Sequence, residues 1–191
     1  MAEGKLFYII GASGAGKDSL IDYARSHLPD DSRVVFAHRY ITRPADAGGE
    51  NHIGLSREEF TLRLRHGLFA MHWESHDTLY GIGREIDHWM RQGLDVAVNG
   101  SRAYLDQAIQ LYPDIIPVWV HVSIDKLRQR LLNRGRESLE EIEERISIAQ
   151  QLDHIARDKG LEIIDNNQHL HEAGAALLVL LNSRGTDRRC A

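Results

Sequence analysis

One string near the start of the chain, Gly11-Ala12-Ser13-Gly14-Ala15-Gly16-Lys17-Asp18-Ser19, constrains its fold more than any other feature. Apart from Asp18 it fits the phosphate-binding pattern G-x-x-x-x-G-K-[ST]. The apolar run Leu6-Phe7-Tyr8-Ile9-Ile10 before it reads as a buried strand, and Leu20-Ile21-Asp22-Tyr23-Ala24-Arg25 after it reads as a helix. Strand, glycine loop and helix in that order is the context in which such a loop works. Glycines at 11, 14 and 16 let the backbone curl and turn its N–H groups inward. With the helix N-terminus they form a site for phosphate oxygens, to which Lys17 adds a point charge.

Asp18 stands where the pattern has a magnesium-binding hydroxyl, and Ser19 follows one residue later. Two readings of Asp18 stay open. A carboxylate is a hard oxygen ligand for magnesium, and negative charge is also favoured at a helix start. The expected metal-linked pair is Asp18 and Ser19.

Beyond the loop, strand and helix patterns alternate, which predicts a parallel sheet with helices on both faces. The strands are expected at Leu6–Ile10, Val34–Ala37, Leu94–Val98, Ile116–Val122 and Leu161–Ile164. The helices are expected at Lys17–Leu28, Arg102–Leu111, Ile124–Asn133, Ser138–His154 and Leu170–Asn182. The chain has 191 residues, a length that suits one domain with a substantial core. Two regions interrupt the alternation. Residues 39–92 read as an insertion beside the sheet, and residues 133–140 as a basic, glycine-containing break that serves as hinge or lid. The core is then residues 1–38 and 93–182, and residues 183–191, with no apolar face, read as a flexible tail.

A formal net charge of −5 argues against a dedicated nucleic-acid binder, whose surface is normally basic. Cys190 is the only cysteine, so no disulfide forms within the chain, which fits a reducing cytoplasm. The start runs straight into the first strand without a cleavage pattern, and no stretch approaches membrane-spanning length. A cytoplasmic protein without membrane association is expected, with a homodimer left open. Trp73, Trp89 and Trp119 read as core, and the histidine spacing holds no metal-ligand motif.

Phosphoryl transfer needs positive charge around the moving group, because its negative charge is spread over several oxygens. Arg130, Arg134, Arg136 and Arg145 lie along the helix–break–helix segment. Arginine suits the task because its planar fork grips two oxygens together. Glu140, Glu141, Glu143 and Glu144 lie close enough in sequence to pair with them instead. No N-K-x-D string for reading a guanine base is present, and the strand Leu94–Val98 ends in Asn99 rather than an aspartate. Both facts tilt against a GTPase or a motor ATPase and toward a small phosphoryl-transfer enzyme.

The chain resembles the guanylate kinase family of nucleoside-monophosphate kinases over most of its length. Gly11 to Lys17 is similar to the family's phosphate loop. Ile41-Thr42-Arg43-Pro44 with Gly49-Glu50 is similar to its T-T-R-x-P-R-x-G-E segment, and Tyr80-Gly81 to its Y-G-T motif. Arg130-Leu131-Leu132-Asn133-Arg134-Gly135, followed by Ile142 and Arg145, is similar to its R-L-x-x-R-G lid. The resemblance implies an α/β P-loop fold with a five-stranded parallel sheet, a substrate-binding insertion and a lid. It implies ATP and Mg2+ as cofactors and catalytic roles for Lys17, Arg134 and Arg145. Nucleotide contacts are expected from residues 11–19, including Ala12, Ser13 and Ala15, and from Arg130 and Asn167, with Asn166 and Asn167 both implied to lie near the adenine.

The departures from that family are informative. The expected base-reading glutamate falls on Met71, the threonine of Y-G-T on Ile82, and an acidic position of the D-x-Q-G stretch on Asn99. The second arginine of T-T-R-x-P-R falls near Asp46. A site stripped of its hydrogen-bonding partners for a base loses discrimination for it by orders of magnitude. His38-Arg39-Tyr40-Ile41-Thr42-Arg43, Glu50-Asn51-His52, Val98-Asn99-Gly100-Ser101-Arg102 and the Gly-Lys-Asp-Ser ending resemble a narrower family, the ribose 1,5-bisphosphate phosphokinases of bacterial phosphonate breakdown. The implied reaction converts ATP and ribose 1,5-bisphosphate into ADP and 5-phosphoribosyl 1-diphosphate. Acceptor contacts are expected from Arg39, Arg43, His52, Tyr80, Asn99 and Arg102, with His38 as an alternative to His52. The remaining alternatives are a nucleotide or small-sugar kinase of altered specificity and a non-catalytic binding module. Retention of Lys17, Arg134 and Arg145 weighs against the module.

Overall fold

The computed structural model describes residues 3–45, 50–135, 138–158 and 160–186. Five parallel strands form the central sheet in the order β2-β7-β1-β8-β9. They are β1 (Leu6–Gly11), β2 (Val34–Phe36), β7 (Asp95–Asn99), β8 (Ile116–His121) and β9 (Glu162–Asp165). The central strand β1 is buried throughout. Successive side chains point to opposite faces of a strand, so a wholly apolar β1 demands cover on both sides. Phe7 and Ile9 face one layer, with α1 (Lys17–Ser26), α5 (Ile124–Arg134) and α7 (Leu170–Thr186). Leu6, Tyr8 and Ile10 face the other, with α3 (Glu85–Arg91) and α4 (Leu105–Leu111).

The sheet's partners follow from helical spacing. Leu20 and Ala24 of α1 pack beneath Phe7 and Ile9, as do Leu127 and Leu131 of α5 and Leu177 and Leu181 of α7. Burying each such leucine contributes roughly 1.5–3 kcal/mol. The long helix α6 (Leu139–Asp158) is tied to β8 through Asp153, which accepts from Trp119 Nε1 at 2.6 Å and lies 3.0 Å from His121 Nδ1.

The second region holds a mixed four-stranded sheet of order β4-β3-β6-β5. Its strands are β3 (Arg39–Ile41), β4 (Ile53–Gly54), β5 (Phe69–Ser75) and β6 (Thr78–Gly83), with α2 (Arg57–Arg65) alongside. The sequence reading extended the insertion to residue 92. In the fold, α3 buries Ile86 and Met90 with Leu6, Val96 and Val98 of the central sheet, so the second sheet itself ends at Gly83. The tail also differs from expectation. Helix α7 runs on through Thr186, with Ser183 Oγ donating to the Leu180 carbonyl. Residues 187–191 lie outside the described residues, as do Asp46, Gly49 and Arg136. Among the described residues no helix is long and apolar enough to cross a membrane.

Candidate active site

The glycine string lies at the carboxyl end of β1, where ligands of open parallel sheets bind. Gly14 and Gly16 adopt φ of 88° and 86°, left-handed values that other residues reach only with strain. Space matters at Gly16 too, where a Cβ would lie 2.8 Å from Asn166 Nδ2. The loop is braced from the opposite half of the sheet. The Ala15 carbonyl accepts from Asn166 Nδ2 at 2.7 Å and from Arg130 Nη1 at 3.0 Å, and Arg130 Nη2 donates to the Asn166 carbonyl at 2.9 Å. Arg145 Nη1 of α6 donates to Ser13 Oγ at 2.6 Å. Ser13, Gly14, Gly16, Lys17, Asp18, Ser19 and Arg130 line a cleft of about 420 Å³.

Lys17 Nζ donates to the Gly11 carbonyl at 3.3 Å, curled over its own loop. Burial lowers its ammonium to about 8; the Asp18 charge opposes that shift, while Arg39 and Arg102 add to it. Between about 8 and the ordinary value of 10.5 the unfolded chain therefore binds more protons than the folded one. This group makes stability rise with pH across that window and weakens the fold below it. Phosphate anions favour the charged lysine. Nucleotide binding at pH 8 is therefore expected to take up about half a proton, and affinity to fall as pH rises further. Calorimetry in two buffers of different ionisation enthalpy measures the uptake, and a value near zero would contradict the assigned environment.

The second half of the site is built around Glu50. Its carboxylate takes a two-point grip from Arg39, with Nε donating to Oε2 at 2.6 Å and Nη2 to Oε1. Arg43 Nη2 lies 3.9 Å from Oε1, and Arg43 Nε is buried without a hydrogen-bond partner among the described residues. The Arg39 guanidinium lies 5.1 Å above the Tyr80 ring, which stacks in turn on Trp73 at 5.7 Å between centroids. Asn99, at the end of β7, donates to Asp18 Oδ1 at 2.8 Å and to Glu50 Oε2 at 3.3 Å. Arg102 opens a 3₁₀ turn just beyond, Arg102–Tyr104. Burial lowers its guanidinium, and the nearby Arg145 charge adds to the effect. That turn is anchored by Tyr8, whose hydroxyl donates to the Ser101 carbonyl at 3.0 Å and accepts from Ser101 N–H at 2.9 Å.

The fold thus gathers Lys17, Asp18, Arg130 and Arg145 around the loop, and Arg39, Arg43, Tyr80, Asn99 and Arg102 around a facing wall. His52 does not join them as a free donor. It is buried, with Nδ1 3.0 Å from the Glu50 carbonyl and Nε2 3.2 Å from that of Arg43, so both ring nitrogens are engaged by backbone. Asn167 is likewise engaged. Its Oδ1 accepts from Ser123 N–H at 2.7 Å and its amide donates to Asp165, while the neighbouring Asn166 reaches the phosphate loop. His38 lies beside Arg39, its imidazolium disfavoured by burial and then by Arg25. Arg134 closes α5, and its side chain lies outside the described residues. Glu50 carries a role that no single-residue expectation assigned to it. Glu50 stood inside a quoted motif, and only its place between two arginines and an amide reveals its use.

A phosphate loop at the carboxyl edge of a parallel sheet, faced by an arginine-bearing wall, defines a P-loop fold of the nucleoside-monophosphate-kinase type. A family model described as Guanylate kinase matches residues 3–183, and the chain belongs to that family. It is 51% identical over 183 residues to a ribose 1,5-bisphosphate phosphokinase PhnN of Psychromonas ingrahamii, covering 96% of this chain and 92% of that protein. A protein of the same name from Desulfomicrobium baculatum is 55% identical over 177 residues, covering 93% and 94%. Among solved structures, guanylate kinase from Anaplasma phagocytophilum shares the fold with a TM-score of 0.69 at 16% identity, over 96% of this chain and 87% of that one.

Proposed function

We propose that the protein transfers the γ-phosphoryl group of ATP to the 1-phosphate of ribose 1,5-bisphosphate, giving 5-phosphoribosyl 1-diphosphate and ADP. The near-full-length identity of about half with proteins named for that reaction supports it. The structural observation that carries it is Met71 opposite Ile82. The two are paired across β5 and β6 and fully buried, at 1% and 0% exposure. They occupy the positions where guanylate kinases are expected to read guanine, and they offer a base no hydrogen bond. A site of that kind cannot hold GMP by its base. A sugar bisphosphate has no base to read and two phosphates to grip, and Arg39, Arg43 and Arg102 match the second need.

In this reading an oxygen of the acceptor phosphate forms a bond to the γ-phosphorus as the bond to the β-bridging oxygen breaks and ADP leaves. The attacking oxygen is already anionic, so no strong general base is required. Lys17 and the loop N–H groups hold the β- and γ-phosphates, and Arg130 keeps the loop in shape. Arg134 and Arg145 neutralise charge that spreads over the moving phosphoryl. Residues 39–83 form the acceptor-binding part, and residues 133–140 a lid that excludes water. The oxygen donors at the loop suit magnesium: Asp18 has one carboxylate oxygen on Asn99 and a second for a cation, with the Ser19 hydroxyl beside it. Magnesium usually takes one or two protein carboxylates together with substrate phosphates. Bound there, it would neutralise charge on the β- and γ-oxygens. A cytoplasmic location, within phosphonate breakdown, completes the proposal.

The test is a comparison of turnover with magnesium-ATP and either ribose 1,5-bisphosphate or GMP. The bisphosphate is expected to be preferred by at least about 10⁴-fold in kcat/KM, the discrimination that missing hydrogen-bond partners impose. Comparable turnover of GMP would overturn the proposal.

A further inference from the structure

Asn99 ends β7, one strand away from the phosphate loop and in register with Ile9. Its side chain is buried, yet two charged groups depend on it. The amide nitrogen donates to Asp18 Oδ1 at 2.8 Å and to Glu50 Oε2 at 3.3 Å. A carboxamide carries two N–H bonds on one nitrogen, so it can bridge two carboxylates. An aspartate here would put a third negative charge between them, and a serine hydroxyl has one hydrogen and a shorter reach. The carboxylates also fix the orientation of the amide: nitrogen toward them, oxygen away. That oxygen, Oδ1, is buried without a donor among the described residues.

The two carboxylates belong to different halves of the site. Asp18 lies in the first turn of α1, next to Lys17 on the nucleotide side. Glu50 holds Arg39 and lies against Arg43 on the acceptor side. The shorter of the two hydrogen bonds goes to Asp18. Any interaction that draws on the Asp18 carboxylate from the nucleotide side leaves more of the amide for Glu50. A more tightly held Glu50 fixes the guanidinium groups that await the acceptor phosphates.

We propose that Asn99 is a positioning residue that couples the two half-sites, so that nucleotide binding tightens acceptor binding and the reverse. Such coupling is reciprocal by thermodynamic necessity. The inference rests on the kinase reading above, and its test separates the two. Binding of ribose 1,5-bisphosphate is measured by calorimetry with and without a non-hydrolysable ATP analogue and magnesium, for the unaltered protein, Asn99→Asp and Asn99→Ser. The analogue is expected to tighten acceptor binding by about tenfold in the unaltered protein. In both variants the ratio is expected to fall below about twofold, while the analogue alone binds within about threefold of the original affinity. Serine is small and neutral, so this variant keeps the measurement open if the aspartate variant unfolds. A residue that merely supports the fold would weaken both ligands without changing the ratio between the two conditions. Persistence of the full ratio in both variants overturns the inference, as does independent binding in an unaltered protein that still turns over the bisphosphate. An unaltered protein that neither binds nor converts ribose 1,5-bisphosphate overturns the function and the inference together.

Discussion

Lys17→Ala is expected to lower kcat by about 10³-fold, the scale seen when a preorganised positive donor is removed from a developing charge. In the proposed mechanism the lysine holds the β- and γ-phosphates, and in the structure its Nζ lies over the Gly11 carbonyl of the loop. Its removal is expected to leave the fold intact. Burial lowers the ammonium to about 8, which means the folded protein holds that charge at a disadvantage near neutral pH. Alanine removes the disadvantage, so thermal unfolding at pH 7 should occur at the same temperature or slightly higher. Steady-state kinetics with magnesium-ATP and ribose 1,5-bisphosphate, beside a calorimetric scan, check both halves. Retained turnover would remove the loop from the mechanism, and a large loss of stability would contradict the assigned environment. Lys17→Arg is expected to recover little, because a planar fork does not fit where a compact ammonium lies over the Gly11 carbonyl.

Glu50→Ala is expected to damage both stability and acceptor binding. The Arg39 and Glu50 side chains are 13% and 10% exposed, and truncating one partner leaves the other charge buried and unpaired. Breaking such a pair costs about 3 kcal/mol. For a domain of this size that lowers the melting temperature by roughly 6–12 °C. Asn99 loses an acceptor as well, and Arg43 loses its nearest carboxylate. The double variant Arg39→Met with Glu50→Leu separates the two effects. Replacing a buried ion pair by apolar groups of similar size is often neutral for stability, so the melting temperature is expected to return most of the way. Turnover is expected to stay low, with KM for the bisphosphate raised, because the guanidinium is gone. Recovery of both would make the pair a structural element only.

The central sheet was legible because its strands are apolar runs and its helices repeat apolar residues at helical spacing. Predicted Leu94–Val98 and observed Asp95–Asn99 differ by one residue, as do predicted Leu161–Ile164 and observed Glu162–Asp165. The second sheet was not legible in the same way. Arg39–Ile41 and Ile53–Gly54 are too short to show a period, and they become strands by pairing with β6 or with each other. The helix at Leu105–Leu111 begins later than expected, because Arg102–Tyr104 forms a separate turn bound to Tyr8. The surroundings of His52 were hidden for a related reason. A histidine between Asn51 and Ile53 has no visible partners in sequence, and in the structure its ring nitrogens lie beside the carbonyls of Glu50 and Arg43.

What the sequence determined by itself is the donor half of the site. A glycine loop binds phosphate through its own backbone N–H groups and the adjacent lysine, and those are contiguous in the chain. The absence of base-reading groups is equally local, since Met71 and Ile82 cannot donate or accept wherever they are placed. The acceptor half was decided only by the tertiary structure. Asn99 meets Glu50 across 49 residues of chain and Asp18 across 81, and even the donor loop is braced by Asn166 across 151. No local rule brings such groups together. They meet because parallel strands set side by side carry every loop that follows them to one edge, and that edge is where the charges must balance.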